Sequence, residues 1–268
     1  SNANQAARGR RAKASRASAA RAIQSSLDSG ASRAYHSNPE DITYCYAGVC
    51  MKSITDEIYA GFLDDLLRGR RRACAQTVQG LLDEAVDLRT LYVDLFQRAL
   101  YEVGARWEAN RISVATEHLA TATVESLFSL AYPLLFSRER VGRSAIVACV
   151  ANEYHQVGGK MIADLLELNG WDAAFVGANT PVDDLLHMVD DTRPRFVGLS
   201  LAIYFNLREL LEAIERIRLR DEALPILVGG QAFRWGGKEA VEQVPSDHRL
   251  PEIEKDASSS SAENVVRC

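Results

Sequence analysis

The chain has 268 residues and a formal net charge of −5, with 47% hydrophobic and 25% charged residues. Its length allows one large or two modest domains, and its acidic balance argues against wholesale nucleic-acid binding. The five cysteines include no CxxC pair, which argues against a disulfide framework or a zinc site. No apolar run approaches the roughly 20 residues that span a bilayer, so we expect a soluble, cytoplasmic protein.

Residues 1–50 are predicted to form a flexible basic segment. Residues 1–40 hold seven basic residues, two acids and almost no large apolar side chains, so they cannot bury enough surface to offset their ordering entropy. A basic arm of this kind could contact nucleic acid or an acidic partner. It lacks the pattern and length of a helix-turn-helix domain, and we expect no direct DNA binding.

The helical spacing of apolar residues predicts four helices over residues 51–138. The helical stretches are ITDEIYAGFLDDLLRG, RRRACAQTVQGLLDEA, LRTLYVDLFQRALYEVGARWEAN and SVATEHLATATVESLFSLAYPLLF. The first stretch stops at Gly69, and Ser113 is a candidate N-cap of the fourth. Four helices with short connections predict a small antiparallel four-helix bundle.

Between residues 143 and 245 short apolar runs alternate with helical stretches. The runs are SAIVACVA, DAAFVGA, RFVGLSLA and PILVGG. This alternation predicts βαβ units and an α/β domain with a flavodoxin-like parallel sheet. Ligands of such sheets bind at the carboxyl ends of the strands, which here carry Glu153, His155, Ser200, Gly229 and Gly230. Residues 246–268 form a poorly patterned tail in which no final strand is predicted.

Glu153 and His155 follow the first of these strands, just ahead of Gly158 and Gly159. Neutral imidazole is a common metal ligand. A carboxylate two residues away can accept the other ring N–H and raise the basicity of the ligand nitrogen. The glycines would let the backbone pass close to a bulky ligand. On these residues alone, an ordinary loop histidine is the simpler interpretation.

Three sequence elements at matching separations resemble the vitamin B12-binding family. In that family, DxHxxG is followed after about 41 residues by SxL, and SxL after about 26–28 residues by GG. Here EYHQVG (153–158), SLA (200–202) and GG (229–230) are separated by 41 and 26 residues. The chain departs from the pattern twice, because Glu153 replaces Asp but keeps the carboxylate, and Ala202 replaces Leu.

The resemblance implies that cobalamin binds between a helical cap and the α/β domain. His155 would displace the dimethylbenzimidazole base and become the lower axial ligand of cobalt (base-off, His-on), with Glu153 as its hydrogen-bonded partner. Ser200 would meet the displaced nucleotide tail, and the glycines would leave room for the cofactor. The residues expected at this face are Glu153, His155, Gly158, Ser200, Gly229 and Gly230.

The helical half carries a second motif, in which Trp107 stands nine residues before Glu117 and His118. This spacing resembles the W-x9-EH motif of adenosylcobalamin photoreceptor regulators, whose four-helix cap covers the upper face of the corrin. The resemblance implies that Trp107 packs over the adenosyl group and that Glu117 and His118 stand at the upper face. His118 could then ligate cobalt once light breaks the cobalt–carbon bond. Adenosylcobalamin is therefore the favoured cofactor, with methylcobalamin and hydroxocobalamin as alternatives.

Taken alone, a core tryptophan and a polar pair on a helix surface would also explain that motif. With the B12-binding elements in the same chain, the resemblance favours a non-enzymatic sensor or regulator that responds to cobalamin or light. Such a regulator would act through homo-oligomerisation or through a partner protein. One alternative is a corrinoid carrier that shuttles methyl groups for a methyltransferase, similar to methionine-synthase-type corrinoid proteins. Another is a module for storage or delivery, or a degenerate relative that no longer holds cobalamin.

Overall fold

The computed structural model describes residues 53–136 and 139–235, together with the backbone of short strands at 34–38, 41–46, 49–52 and 265–267. The chain forms two compact units, one of residues 1–65 and 70–95 and one of residues 66–69 and 96–268. The predicted division into a cap at 51–138 and a binding domain at 143–245 stays a prediction. No helix among the described residues is both long and apolar enough to cross a membrane.

Three strands lie between residues 34 and 52, in the segment predicted to be flexible and the two residues after it. They are Ala34–Asn38 (β1), Asp41–Tyr46 (β2) and Val49–Lys52 (β3), paired antiparallel in the order β1-β2-β3. The prediction rests on the composition of residues 1–40. It overlooked the run of Ile, Thr, Tyr and Val that begins at residue 42, although these residue types favour strands. The remaining residues of the segment lie outside the described residues.

The four predicted helical stretches are present. Their bounds are Asp56–Leu67 (α1), Arg71–Asp83 (α2), Leu88–Thr90 (α3), a π-helical stretch at Leu91–Gln97, Arg98–Glu108 (α4) and Val114–Leu135 (α5). The predicted N-cap is confirmed, because the Ser113 hydroxyl accepts the backbone N–H of Thr116 at 3.1 Å. The π-helical stretch was not predicted, since nothing in the periodicity of the third stretch distinguishes it from an α-helix.

The second unit contains a five-stranded sheet. Its strands are Ser144–Cys149 (β4), Asp172–Gly177 (β5), Phe196–Ser200 (β6), Ile226–Gly229 (β7) and Val265–Arg267 (β8). The order is β5-β4-β6-β7-β8, with the first four strands parallel and β8 antiparallel to β7. This order is that of a flavodoxin-like fold. The predicted architecture, a helical cap followed by a parallel-sheet α/β domain, is confirmed.

Helices cover both faces of this sheet. They are Val157–Leu168 (α6), Val182–Thr192 (α7) and Leu207–Arg220 (α8). Alternate strand residues, among them Ile146, Val197 and Val228, are buried with apolar residues of α7 and α8, as the two-residue period of a strand requires. Helix α6 packs on the opposite face, against β4 and β5.

Strand β8 lies in residues 246–268, where the sequence pattern places no convincing final strand. Its three residues pair with Leu227, Val228 and Gly229 of β7. A run of three residues after the polar stretch ASSSSAEN is too short to show a strand period. Pairing with a distant strand is a tertiary effect that local sequence does not reveal.

Candidate functional site

The carboxyl ends of β4 and β6 form the switch point of the sheet, because the chain leaves these two strands towards opposite faces. Cys149, Ser200 and Gly229 pair across this end of the sheet. Ser200 is partly buried and lies beside Cys149 in the register of β4 and β6. Ligands of doubly wound sheets bind in the crevice beyond such a switch point. Glu153 and His155 lie in the loop that β4 enters there.

Glu153 is fully buried and joins the loops that follow β4 and β6. Its Oε1 accepts the backbone N–H of His155 at 2.9 Å and lies 2.6 Å from Nδ1 of the same residue. Its Oε2 accepts the backbone N–H groups of Ala202 and Ile203, each at 2.9 Å. A buried carboxylate is tolerated only when it is well hydrogen-bonded, and these four contacts meet that condition.

The same contacts decide the charge states of both side chains. Burial, the largest single influence on Glu153, favours the neutral acid, but the hydrogen bonds together outweigh it and lower the pKa of Glu153 to about 2. The pKa of His155 is raised, chiefly by its hydrogen bond to Glu153 and against an opposing effect of burial. Because an ionised carboxylate can only accept, Nδ1 of His155 carries the proton. The imidazole is 58% exposed, so Nε2 is the nitrogen that can meet a ligand.

Asparagines fix the loop that carries Glu153. Asn152 has a φ of +64°, a left-handed conformation that asparagine tolerates better than most residues, and its N–H donates to Oδ1 of Asn179 at 2.7 Å. The N–H of Asn179 donates to the Glu153 carbonyl at 2.8 Å. Asn206 donates from Nδ2 to the Asn152 carbonyl at 3.0 Å. The sequence motifs do not include these residues, and their one signal in the sequence is that an asparagine follows each of three strand ends.

The loops after β4 and β6 also expose large apolar side chains, which do not belong to the sequence motifs. Phe205 is 92% exposed and Tyr154 is 67% exposed. Ile203 and Tyr204 are exposed as well, and the backbone of Ile203 is held by Glu153. Exposed apolar side chains beside a binding crevice indicate a surface that a ligand or partner covers.

Helix α5 contacts the beginning of α6, within the second unit. Gln156 donates from Nε2 to Oε1 of Glu125 at 3.0 Å. The Lys160 ammonium lies 5.4 Å from the centroid of the Phe128 ring. Gln156 directly follows His155, so its hydrogen bond connects helix α5 to the loop of the predicted ligand.

The residues of the second motif lie at the surface. Trp107, in the last turn of α4, is 46% exposed, which argues against a purely structural core tryptophan. In the first turn of α5, His118 Nδ1 lies 2.5 Å from Oε2 of Glu117, and Thr121 donates to Oε1 of Glu117 at 2.9 Å. The Glu117 charge adds to the effect of Glu153 in raising the pKa of His155. Glu117 and His155 therefore lie in the same region.

The motif glycines differ in what they permit. A Cβ on Gly158 would meet nothing within 4 Å, so the surface beside it is open. A Cβ on Gly159 would lie 3.0 Å from the Phe175 ring, which makes this glycine part of the packing of α6 on the sheet. Gly230 has a φ of +126°, and a Cβ there would lie 2.1 Å from the Leu201 carbonyl oxygen. The backbone therefore requires this glycine whether or not a ligand is bound.

Two family models match the chain. Both are described as B12 binding domain, one at residues 143–249 and one at residues 58–132, and together they cover more than half of the chain. The chain belongs to the B12-binding domain family. The resemblance drawn from the motifs is thereby confirmed for the helical half as well as for the α/β half of this B12-binding protein.

Relatives of this B12-binding protein include two repressors of Myxococcus xanthus. HTH-type transcriptional repressor CarH is 32% identical over 162 residues, which are 59% of this chain and 53% of CarH. HTH-type transcriptional repressor CarA is 30% identical over 124 residues, 46% of this chain and 43% of CarA. The chain thus spans about half the length of the curated relatives it matches. Methionine synthase of Mycobacterium tuberculosis is 26% identical over 90 residues, 33% of this chain and 8% of the synthase.

A solved structure shares the fold. The monomethylamine corrinoid protein of Methanosarcina barkeri matches with a TM-score of 0.60 and 14% sequence identity, covering 67% of this chain and 88% of that protein. At this identity the likeness shows the fold alone. It agrees with the helical cap and Rossmann-like sheet described above.

The residues at the switch point fit a cobalamin cofactor. They offer one exposed imidazole nitrogen, oriented by a buried and ionised carboxylate. This arrangement suits an axial position on a metal whose remaining ligands come from its own macrocycle. The exposed apolar side chains of the neighbouring loops suit the apolar edge of a large ring. Together with the family, these features assign cobalamin binding to the chain.

Proposed function

We propose that the chain binds cobalamin base-off, with His155 as the lower axial ligand of cobalt, and acts as a regulator that responds to cobalamin or light. The observation that carries the proposal is the buried Glu153 carboxylate, which holds Nδ1–H of a half-exposed His155 at the switch point. This contact fixes the tautomer and makes Nε2 more basic. When bound, the cofactor supplies a cobalt centre with an exchangeable upper ligand.

The upper face is proposed to belong to Trp107, Glu117 and His118. Trp107 offers an exposed ring of the size needed to cover an adenosyl group. Glu117 orients His118 through Nδ1, which repeats the pairing of Glu153 with His155 and leaves a second Nε2 free for a ligand. Adenosylcobalamin is therefore the proposed cofactor, because a bulky upper group would use both the tryptophan and the second histidine.

The regulatory part of the proposal is supported by relatives that are named transcriptional repressors. A change at the upper face would reach helix α5, which carries Glu117 and His118 and also contacts α6 through Glu125 and Gln156. We propose that the state of the upper ligand alters the surface of the helical half. The consequence would be a change in homo-oligomerisation or in binding to a partner protein.

The visible absorption spectrum with adenosylcobalamin, in the dark and after green light, tests this function. We expect dark binding with a base-off, His-on spectrum, followed by a light-driven shift to a stable bis-histidine Co(III) spectrum. The His118→Ala variant should bind in the dark but give no such adduct after light. Absence of a light-driven adduct in the wild-type chain would contradict the photosensor, and absence of binding would contradict the whole proposal.

The second candidate function is a methyl carrier of the corrinoid type. It is supported by the similarity in fold to a monomethylamine corrinoid protein, of which the chain covers 88%. A carrier needs an upper face that opens to a partner enzyme and has no use for an adenosyl group. Equal affinity for methylcobalamin and adenosylcobalamin, together with a Trp107→Ala variant that leaves this ratio unchanged, would favour the carrier over the sensor.

A further inference from the structure

A basic groove lies at the opposite end of the sheet from Glu153 and His155, where β4, β6 and β7 begin. Its volume is about 560 Å³, within the range of small-molecule sites. Residues 142–144 line it from the start of β4, residues 193–195 from the loop before β6, and Asp221 with residues 223–225 from the loop before β7. None of the residues assigned to cobalamin lines this groove.

Three arginines line the groove without forming an ion pair to any described residue. Arg143, Arg193 and Arg195 are exposed, and none of them forms an ion pair within the described part of the chain. Other arginines on the same α/β domain are paired, as in Arg140 with Glu167 and in the contacts of α8 with acids of α7. In a chain with a net charge of −5, three guanidinium groups without an ion pair among the described residues in one groove indicate an anionic ligand.

The one acidic side chain in the lining does not neutralise them. Oδ1 of Asp221 accepts the backbone N–H groups of Ala223 and Leu224 at 3.0 and 3.1 Å, so this carboxylate is bound to its own loop. Three arginines against one aspartate leave the groove with a net positive charge. Arg143 is steadied by the Trp171 ring, 5.6 Å from its guanidinium carbon, a contact that leaves its N–H groups free to donate.

Arg193 has a backbone conformation that favours glycine. It follows the last residue of α7 and has a φ of +45°, the left-handed conformation in which helices commonly end with glycine or asparagine. An arginine there disfavours the fold. Such a residue is expected where its side chain has another use.

We propose that this groove binds a small organic phosphate that carries at least two adjacent phosphate groups. Guanidinium groups match phosphate oxygens in bidentate geometry and keep their charge at any physiological pH. Three of them, supplied by two neighbouring loops, suit a di- or triphosphate better than a single monoanion. A nucleic-acid backbone is the weaker choice, because the net negative charge of the chain opposes a long polyanion.

Calorimetric titration of the full chain with sodium tripolyphosphate, at constant ionic strength, tests the proposal. We expect saturable binding that falls at least tenfold in Arg195→Gln, since a charge-assisted hydrogen bond of this kind is among the stronger ones. The matched control is Arg208→Gln, an exposed arginine in the first turn of α8, at the other end of the sheet. Absence of binding, or equal affinity in all three proteins, would overturn the proposal.

The variant Arg193→Gly distinguishes an effect on ligand binding from an effect on stability. Glycine suits the left-handed backbone at this position, so the melting temperature should stay the same or rise while tripolyphosphate binding is lost. Undiminished binding by Arg193→Gly would overturn the role of this arginine. Binding of a single-stranded oligonucleotide of about 20 nucleotides through the same arginines, and more tightly than tripolyphosphate, would overturn the choice of a small ligand.

Discussion

Glu153 and His155 have different roles at the switch point. Glu153 has no contact with solvent and holds the loops after β4 and β6 together, whereas His155 is more than half exposed. Changes at Glu153 should therefore affect the protein even without cobalamin. Changes at His155 should affect the cofactor while leaving the fold nearly intact.

Replacing Glu153 by Ala should destabilise the cobalamin-free protein. The substitution leaves the N–H groups of Ala202 and Ile203 without their acceptor and removes a buried charged group that accepts four hydrogen bonds. We expect a loss of about 3 kcal/mol in the free energy of unfolding, measured by urea denaturation. Glu215→Ala, at an exposed position of α8, is the control and should change it by less than about 0.5 kcal/mol. Equal effects would contradict the structural role of Glu153.

Replacing His155 by Ala should change the spectrum of bound cobalamin. Without the imidazole, bound cobalamin should keep its base-on spectrum, or affinity should fall at least tenfold, as expected when a metal ligand is lost. The exposed His187 of α7 offers a matched control, because His187→Ala should leave spectrum and affinity as in the wild type. An unchanged His-on spectrum in His155→Ala would exclude this residue as the axial ligand.

Two glycines of the motif should respond to alanine in opposite ways. Gly158→Ala places a methyl group in open space within the first turn of α6, so the cobalamin-free protein should be as stable or about 0.5 kcal/mol more stable. Gly230→Ala forces a methyl group against the Leu201 carbonyl at a φ of +126° and should cost about 3 kcal/mol or more. Weaker cobalamin binding in the stable Gly158→Ala variant would support the proposed clearance beside the cofactor, and unchanged binding would contradict it.

Among the elements, those with a strong local pattern were predictable and those that depend on distant pairing were not. The helix α5 shows its N-cap and apolar spacing in one continuous stretch, and β4 shows an uninterrupted apolar run. Strand β8 has only three residues and exists through its pairing with β7. The π-helical stretch at Leu91–Gln97 carries neither the glycine nor the proline that often marks a helix irregularity.

The same distinction applies to the candidate site. Glu153 and His155 could be found because they belong to a spaced motif. The backbone donors Ala202 and Ile203 could not, since any residue can supply an N–H group. Gln156 was part of the quoted motif, but its partner Glu125 lies 31 positions earlier, on α5. Only the packing of α5 against α6 brings them together.

The contact between α5 and α6 should show up as a measurable coupling. Glu125→Ala, Gln156→Ala and the double variant form a cycle in which each single change removes the 3.0 Å hydrogen bond. A partly buried hydrogen bond to a charged group predicts a coupling energy of about 1 kcal/mol in the free energy of unfolding. A cycle of Glu125 with Asn206, which hydrogen-bonds elsewhere, is the control and should give no coupling. Additive effects in the first cycle would show that this hydrogen bond does not hold α5 to α6.

On the scale of the whole molecule, the two ends of the sheet in the α/β domain carry chemically different side chains. The carboxyl end holds a buried anion, an exposed imidazole and exposed apolar side chains. The amino end holds three arginines around an open groove. Between them lies a layer of buried aliphatic residues. Among the described residues of this domain, the buried polar side chains are those of Glu153, Asp164 and Thr180, so we expect no electrostatic coupling between a ligand at one end and a ligand at the other.

The two proposed ligands should therefore stabilise the protein independently. At 100 times its dissociation constant, each ligand raises the free energy of unfolding by about 2.7 kcal/mol, and independent sites add to roughly 5 kcal/mol. Urea denaturation with adenosylcobalamin in the dark, with tripolyphosphate, and with both together measures the three values. The variant Arg195→Gln is the control and should keep the cobalamin contribution while losing that of tripolyphosphate. A combined value clearly above or below the sum would mean that the ends are coupled through the sheet, because a coupling free energy between sites is what such a departure measures.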